Sequence, residues 1–502
     1  MSVQAYDVQA VRAAEGQVLA QVPEGSLMQR AAAGLAAVCA DELRQLRGRV
    51  TGARVVLLIG AGNNGGDALW AGARLAGRGA GVHALLVASS AHAQGLAALR
   101  AAGGRVLDVT AEPGELVAAA GLLADADLVL DGIVGIGGSA GLREPAASLL
   151  AALPPSHDGG PVLVAVDLPS GVDTDGGTTP AAHVRADVTV TFGADKPCLL
   201  LPPAARAAGR VELVDIGLGP HLPDRAAVDR LTPGDVRRLW PVPGPDDDKY
   251  SRGVVGVVAG SVGYTGAAVL AVGGALRSGA GMVRYLGPDH PAERVRARWP
   301  ETVIGRGRVQ AWVLGSGVDP DAGDGQAGAI LDALAEGLPS VVDAGALSVV
   351  ATSPGRDLLG AHSVLTPHAG ELARLLTAAA TSDRAEVTRG QVQAEPLAHV
   401  RRAVELTGAT VLLKGAITVI VTADGRCRTQ ADATSWLATA GAGDVLAGVT
   451  GTLLAADLDP LDAAALAALV HGRSAVRASA GGPIVAEDVI SALPSTIAEL
   501  VR

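Results

Sequence analysis

Short apolar runs, each long enough for one buried strand, recur along the chain, and each breaks at a loop that leads into a helical pattern. In the first half they are Ala53–Ile59, Val82–Val87, Asp127–Asp131, Val162–Asp167 and Asp187–Phe192. In the second they are Gly253–Ala259, Ala311–Leu314, Ser340–Asp343, Ser363–Thr366 and Thr410–Leu413. Strands apolar on both faces and alternating with helices require a parallel sheet covered on either side. The predicted class is α/β, with doubly wound sheets. A chain of 502 residues exceeds one typical core. The Pro- and Gly-rich stretch Gly217–Asp224 (GLGPHLPD) separates the two patterned regions. Domains are therefore expected at 1–220 and 221–502, with 225–250, including PVPGPDDD at Pro241–Asp248, as an arm into the second. Residues 26–47 carry helical periodicity, with Ser26 as the expected N-cap.

Composition narrows the function. A hydrophobic fraction of 49% with 18% charged residues describes a globular chain. The formal charge of −11 argues against non-specific nucleic-acid binding and against a basic membrane-surface helix. Cys39, Cys198 and Cys427 are too sparse for a disulfide framework or a CxxC metal site, which fits a reducing compartment. With no signal-like N-terminus and no apolar stretch of spanning length, the expected location is the cytoplasm.

Chemistry gathers at strand ends. Gly60-Ala61-Gly62-Asn63-Asn64-Gly65-Gly66-Asp67 follows the first run, with a helix expected from about Ala68. GAGNNG has the form G-x-G-x-x-G, but the acidic residue a dinucleotide fold places about 20 residues later is missing. Val87-Ala88-Ser89-Ser90 stands there. Asp67 would also repel a pyrophosphate, so the loop suits a polar ligand or a hard cation instead. Asp131 leads into Gly132–Gly138, and Asp167 leads into Leu168-Pro169-Ser170-Gly171. Ligands of open parallel sheets bind where such loops collect.

Late in the chain, Trp436–Gly451 (WLATAGAGDVLAGVTG) reads as a small-residue loop entering a helix with Asp444 in its first turn. Free N–H groups at a helix start form an anion hole. A carboxylate inside it either steadies the turn or takes a proton from a hydroxyl receiving a phosphoryl group. No Walker motif is present, and the histidines lack zinc spacing.

SLMQRAA, GAGNNGGD, the Val134–Gly138 loop and VDLPSGVD together resemble the N-terminal domain of NAD(P)H-hydrate epimerases. That resemblance implies a Rossmann-like three-layer sandwich, a hydrated nicotinamide cofactor as substrate and a bound potassium ion. Asn64, Asp131 and Ser170 would hold K+. Asn63, Asn64, Gly65, Gly66 and Asp67 would line the substrate pocket with Gly135, Ile136, Gly137, Gly138, Ser139, Ala140 and Gly141. Asp167 would be the acid/base group.

In the second half KYSRGVVGVVAGSVGYTGAAVLA, DAGAL, LTPHAGELARLL, VLLKGAIT and WLATAGAGDVLAG resemble the ADP-dependent NAD(P)H-hydrate dehydratases. The chain reads DAGAL where that family usually has DADAL, and AGAGD where it usually has GGTGD. A ribokinase-like domain is implied, with Ala267, Gly317, His368 and Asp444 on the hydrate. Lys414, Gly415, Ala416, Ile417, Thr418 and Gly443 would hold the adenine nucleotide, and Mg2+ would accompany it. The implied partners are the NADH and NADPH hydrates (NADHX and NADPHX) and the co-substrate ADP, with neither nucleic acid nor membrane, and a homo-oligomer is expected. The competing reading is a ribokinase-like vitamin-precursor kinase with a nucleotide-sensing N-terminal domain.

Overall fold

A computed structural model describes residues 2–111, 113–154, 159–379 and 386–502. After a short strand Val3–Ala5 (β1), the first sheet is built from Arg54–Ile59 (β2), Gly81–Leu86 (β3), Arg105–Asp108 (β4), Leu128–Gly132 (β5), Val162–Val166 (β6), Val188–Phe192 (β7) and Arg210–Val214 (β8). Its order is β4-β3-β2-β5-β6-β7-β8 and every pairing is parallel. Alternation along β2 assigns the two faces. Val55, Leu57 and Ile59 join the core under the helices Ser26–Arg47 and Asn63–Gly77, while Val56 and Leu58 pack with Ala119, Leu123 and Leu149 beneath the opposite layer. This is the three-layer arrangement expected. The chain winds outward from β2 to β4, then returns to β5, so β2 and β5 flank the point where winding reverses.

The remaining strands are Val228–Arg230 (β9), Val254–Val258 (β10), Met282–Leu286 (β11), Val303–Ile304 (β12), Ala311–Leu314 (β13), Ser340–Val342 (β14), Ser363–Leu365 (β15), Thr410–Leu413 (β16), Thr418–Val421 (β17) and Cys427–Gln430 (β18). They run in the order β9-β18-β17-β16-β15-β14-β13-β10-β11-β12. Pairings from β12 to β16 are parallel, and β16-β17-β18 are antiparallel. Winding reverses between β10 and β13. Packing divides the chain into two compact units, Gln4–Ala227 and Val228–Arg502 with the N-terminal residues up to Val3, a division C-terminal to the 220/221 boundary expected.

Two local expectations need correction. Gly25, at φ 79°, is the N-cap of the helix Ser26–Arg47, and Ser26 lies inside it with its hydroxyl donating to Pro23 O (2.6 Å). The helix after β2 starts at Asn63, so NNGGD is its first turns rather than a loop. The early start depends on Gly65, where a Cβ would stand 2.4 Å from Gly60 O. Among the described residues no helix is long and apolar enough to cross a membrane.

Candidate active sites

In the N-terminal unit the loops after β2 and β5 meet closely. A Cβ on Gly60 would lie 1.9 Å from Ile133 O, so the approach requires glycine there. Asp131, at the end of β5, is fully buried. Its carboxylate accepts from Ser170 Oγ (2.6 Å) and from Ser170 N (2.8 Å). Burial outweighs these bonds and pushes the Asp131 carboxyl up to about 6. Asn64 Nδ2 donates to Val166 O (2.9 Å), and its amide oxygen lies so near Gly135 that a Cβ there would be 3.0 Å away. Asn64, Asp131 and Ser170 thus stand within one small region as oxygen donors around a buried carboxyl. Among the described residues no Lys or Arg pairs with that carboxyl.

Asp167 takes a left-handed conformation (φ 68°) directly after β6. Its carboxylate forms a buried ion pair with Lys196 and also accepts from Thr191 Oγ1 and Phe192 N, both at 3.3 Å. Lys196 in turn donates to Thr191 Oγ1 (2.9 Å) and Phe192 O (3.1 Å). Asp167 opens on a cavity of about 440 Å³ lined also by Arg12, Glu15, Asn63, Asn64, Asp67 and Gly135–Gly138. A second cavity, about 400 Å³, shares Glu15, Asn63, Asp67 and Phe192 and extends past Met28, Trp70 and His92.

Of the residues expected here, Gly65 and Gly66 are packed inward, and Ser139, Ala140 and Gly141 fall outside both linings. Gly141 N donates instead to Gly171 O (2.8 Å). Arg12, Glu15 and Lys196 were not anticipated. Lys196 follows β7 in FGADKP, and a charged residue just beyond an apolar strand is the signal that marks it.

In the C-terminal unit the helix Ala442–Ala455 starts from Gly441 (φ 83°), with Asp444 in its first turn. Gly448 and Gly274 seat it against the helix Thr265–Arg277: a Cβ on Gly448 would stand 2.2 Å from Ala271 O, and one on Gly274 2.5 Å from Val445 O. Asp343 follows β14, and Lys414 follows β16. Lys414 Nζ donates to Asp343 Oδ1 (2.7 Å) and lies 3.7 Å from Glu371 Oε2. Asp343 also accepts from Thr366 Oγ1 (2.8 Å) and from Ser316 Oγ (3.4 Å). Ser316 hydrogen-bonds Asp444 as well. Burial, then the nearby Asp343 carboxylate, pushes Asp444 up to about 7 against the opposing pull of Lys414 and Ser316.

Lys414, Gly415, Ala416, Thr418, Gly443 and His368 line one cavity of about 600 Å³ with Gln430, Asp432, Thr434, Leu437 and His471. Ile417 is outside that lining. Ala267 and Gly317 meet each other beyond it, a Cβ on Gly317 falling 2.4 Å from Ala267 Cβ. His368, expected on the hydrate, lies on the wall of the large cavity as an N-cap, its Nδ1 accepting from Gly370 N (3.0 Å) and Glu371 N (3.1 Å). Ser316, Glu371 and His471 were not anticipated. His471, alone in the apolar pattern of the helix Pro460–Ser479, is the one whose position was conspicuous.

Fold and cavities define a two-unit α/β enzyme with one candidate site in each unit: the N-terminal one where its sheet reverses its winding, the C-terminal one beyond the ends of β15 and β16. Residues 255–494 match the family model described as NAD(P)H-hydrate dehydratase, and residues 24–198 match that of the YjeF-related protein N-terminus. The bifunctional NAD(P)H-hydrate repair enzyme Nnr of Mycobacterium leprae is 45% identical, over 95% of this chain and 94% of its own. The protein of that name from Salinibacter ruber is 35% identical, over 95% and 93%. A solved ADP/ATP-dependent NAD(P)H-hydrate dehydratase from Bacillus subtilis, co-crystallised with ATP/Mg2+, covers 54% of this chain and 98% of its own at 24% identity and a TM-score of 0.46. The chain belongs to the bifunctional NAD(P)H-hydrate repair enzymes.

Proposed function

We propose that residues 228–502 dehydrate the S form of hydrated NADH or NADPH at the expense of ADP. Residues 4–227 interconvert the R and S forms, so that both reach the dehydratase. The observation that supports this best is Asp444: a carboxyl near neutrality, in the first turn of a helix whose Ala442, Gly443 and Leu446 line a cavity of nucleotide size. A base of that strength suits proton removal at neutral pH.

The hydrate carries a hydroxyl at ring position 6, a poor leaving group. Asp444 takes its proton as the oxygen attacks the terminal phosphorus of ADP, and AMP departs. Lys414 and the N–H groups at Gly441–Asp444 stabilise the charge on the transferring phosphoryl group. Inorganic phosphate then leaves carbon 6, and loss of a proton from carbon 5 restores the ring double bond. Asp343 and Glu371 hold the Lys414 ammonium in place. Among the described residues no three His, Cys, Asp or Glu side chains converge as a metal cage, so Mg2+ would arrive on the nucleotide phosphates.

In the N-terminal unit the oxygen donors Asn64, Asp131 and Ser170 fit K+, a hard cation for which the buried Asp131 carboxyl supplies charge. Bound there, the ion would supply positive charge beside the substrate loop Gly135–Gly138.

The test is to incubate the protein with mixed hydrate epimers, with and without ADP. Reduced cofactor, AMP and phosphate should appear only with ADP, and the epimer ratio should relax without it. Accumulation of a stable phosphorylated product would instead support the kinase reading.

A further inference from the structure

The cavity holding Asp167 contains more ionisable groups than a single acid/base residue needs. Asp167 is held through its Oδ1 alone by Lys196, Thr191 Oγ1 and Phe192 N. Asp67, on the first turns of the helix after β2, is 8% exposed, and no hydrogen bond to its carboxyl is found among the described residues. It lies on the wall common to both cavities, open to whatever fills them.

We propose that Asp67 is a catalytic acid of the epimerisation, paired with Asp167 as the base. This rests on the epimerase reading above. The stereocentre to be inverted is carbon 6, which bears both the hydroxyl and the ring nitrogen. Asp167, ion-paired with Lys196, takes the hydroxyl proton as the C6–N1 bond breaks. The bonding pair goes to N1, which receives the proton of Asp67, and an open-chain aldehyde results. Rotation about C5–C6 presents the other carbonyl face. N1 adds back, its proton returns to Asp67, and the new alkoxide recovers the proton on Asp167. Nothing is oxidised or reduced, and both carboxyl groups end as they began.

The surroundings supply the required asymmetry between two acids. Around Asp67 stand Glu15 and Arg12 from the helix Val8–Leu19, Asp167 from the loop after β6 and Lys196 from the loop after β7. Glu24 and His92 line the adjoining cavity. Burial first, then the charges of Asp167 and Glu15, raise the Asp67 carboxyl well above its usual range, with Lys196 opposing. Glu15 is raised for the same reasons but has Arg12 as well as Lys196 to offset them.

The experiment uses the full chain without ADP and a purified R hydrate, following the R/S ratio by chromatography across pH, in ordinary water and in ¹⁸O-water. Asp67→Asn should slow epimerisation about 100- to 10,000-fold and abolish the decline in rate at high pH, while Asp67→Glu restores part of both. Early product should retain ¹⁶O, because the C6–O bond never breaks. Epimerisation by Asp67→Asn within tenfold of wild type, or ¹⁸O in early product, overturns the assignment while the epimerase reading stands. A wild-type chain that leaves the R/S ratio unchanged overturns both.

Discussion

Asp444 owes its basicity to its neighbours more than to its position on a helix. A helix start favours the carboxylate by only about 0.3–1 kcal/mol at exposed positions, and burial beside Asp343 reverses that preference. In the proposed role the ionised form is the base, so kcat/KM for S-hydrate dehydration should fall as pH drops through about 7 and level off above it. Asp444→Asn should lower kcat by about 100- to 10,000-fold and remove that acid limb, which a pH–rate profile would reveal; a variant with near-normal rate refutes the role. Gly345 shows why one departure from the family pattern is tolerated by the backbone. Any Cβ there would come within 2.1 Å of Val318 O, so the loop after β13 now occupies the space an aspartate would need. Asp444, Lys414 and Asp167 were legible because each follows a strand or enters a helix inside a recognisable motif. Ser316, Glu371, Lys196 and Glu15 were not, because their placement comes from which strand ends and helices the fold brings together.

At the scale of elements, the strands read from apolar runs are the ones buried on both faces. The strands missed include half-exposed or polar ones, β1, β4, β8, β11 and β12, but also the largely buried β17–β18 hairpin with its attached β9. In β8 no residue is fully buried, and β11 alternates buried Val283 and Tyr285 with more exposed neighbours including Arg284. Such alternation is weak in a short segment. The hairpin had a local signal in Asp424-Gly425, with Gly425 at φ 80° and Thr422 N donating to Arg426 O (3.1 Å). Helix placement makes a sharper prediction. The start of Ala442–Ala455 is held over the site because Gly448 lets its backbone touch that of the helix Thr265–Arg277. Gly448→Val should destabilise the unit by about 1–3 kcal/mol as overpacking, measured by denaturant unfolding. It should also lower dehydratase kcat under conditions where the variant is fully folded, since the anion hole moves with the helix. Unchanged kcat in the folded variant would mean that the contact only stabilises.

For the molecule as a whole, the two activities are assigned to residues that do not overlap in sequence. Every residue placed in the dehydratase site lies between Ala267 and His471, and every residue placed in the epimerase site lies between Arg12 and Ile216. Each unit also has its own hydrophobic core, one built on β2 and its neighbours and the other on β10 and β13. A change confined to one catalytic group should therefore divide the overall reaction by stereochemistry. Asp167→Ala removes the proposed base of the epimerase, leaving buried Lys196 without its carboxylate partner. Given S hydrate and ADP, the variant should recover reduced cofactor at the wild-type rate. Given R hydrate and ADP, it should recover cofactor only as fast as the R form epimerises unaided, and wild-type extract lacking only dehydratase activity should restore the rate. Mixed epimers then give two phases, a fast one proportional to the S fraction and a slow one for the remainder. Consumption of R hydrate by the variant as fast as by wild type would mean that the second unit accepts both epimers, and the N-terminal site would need another substrate.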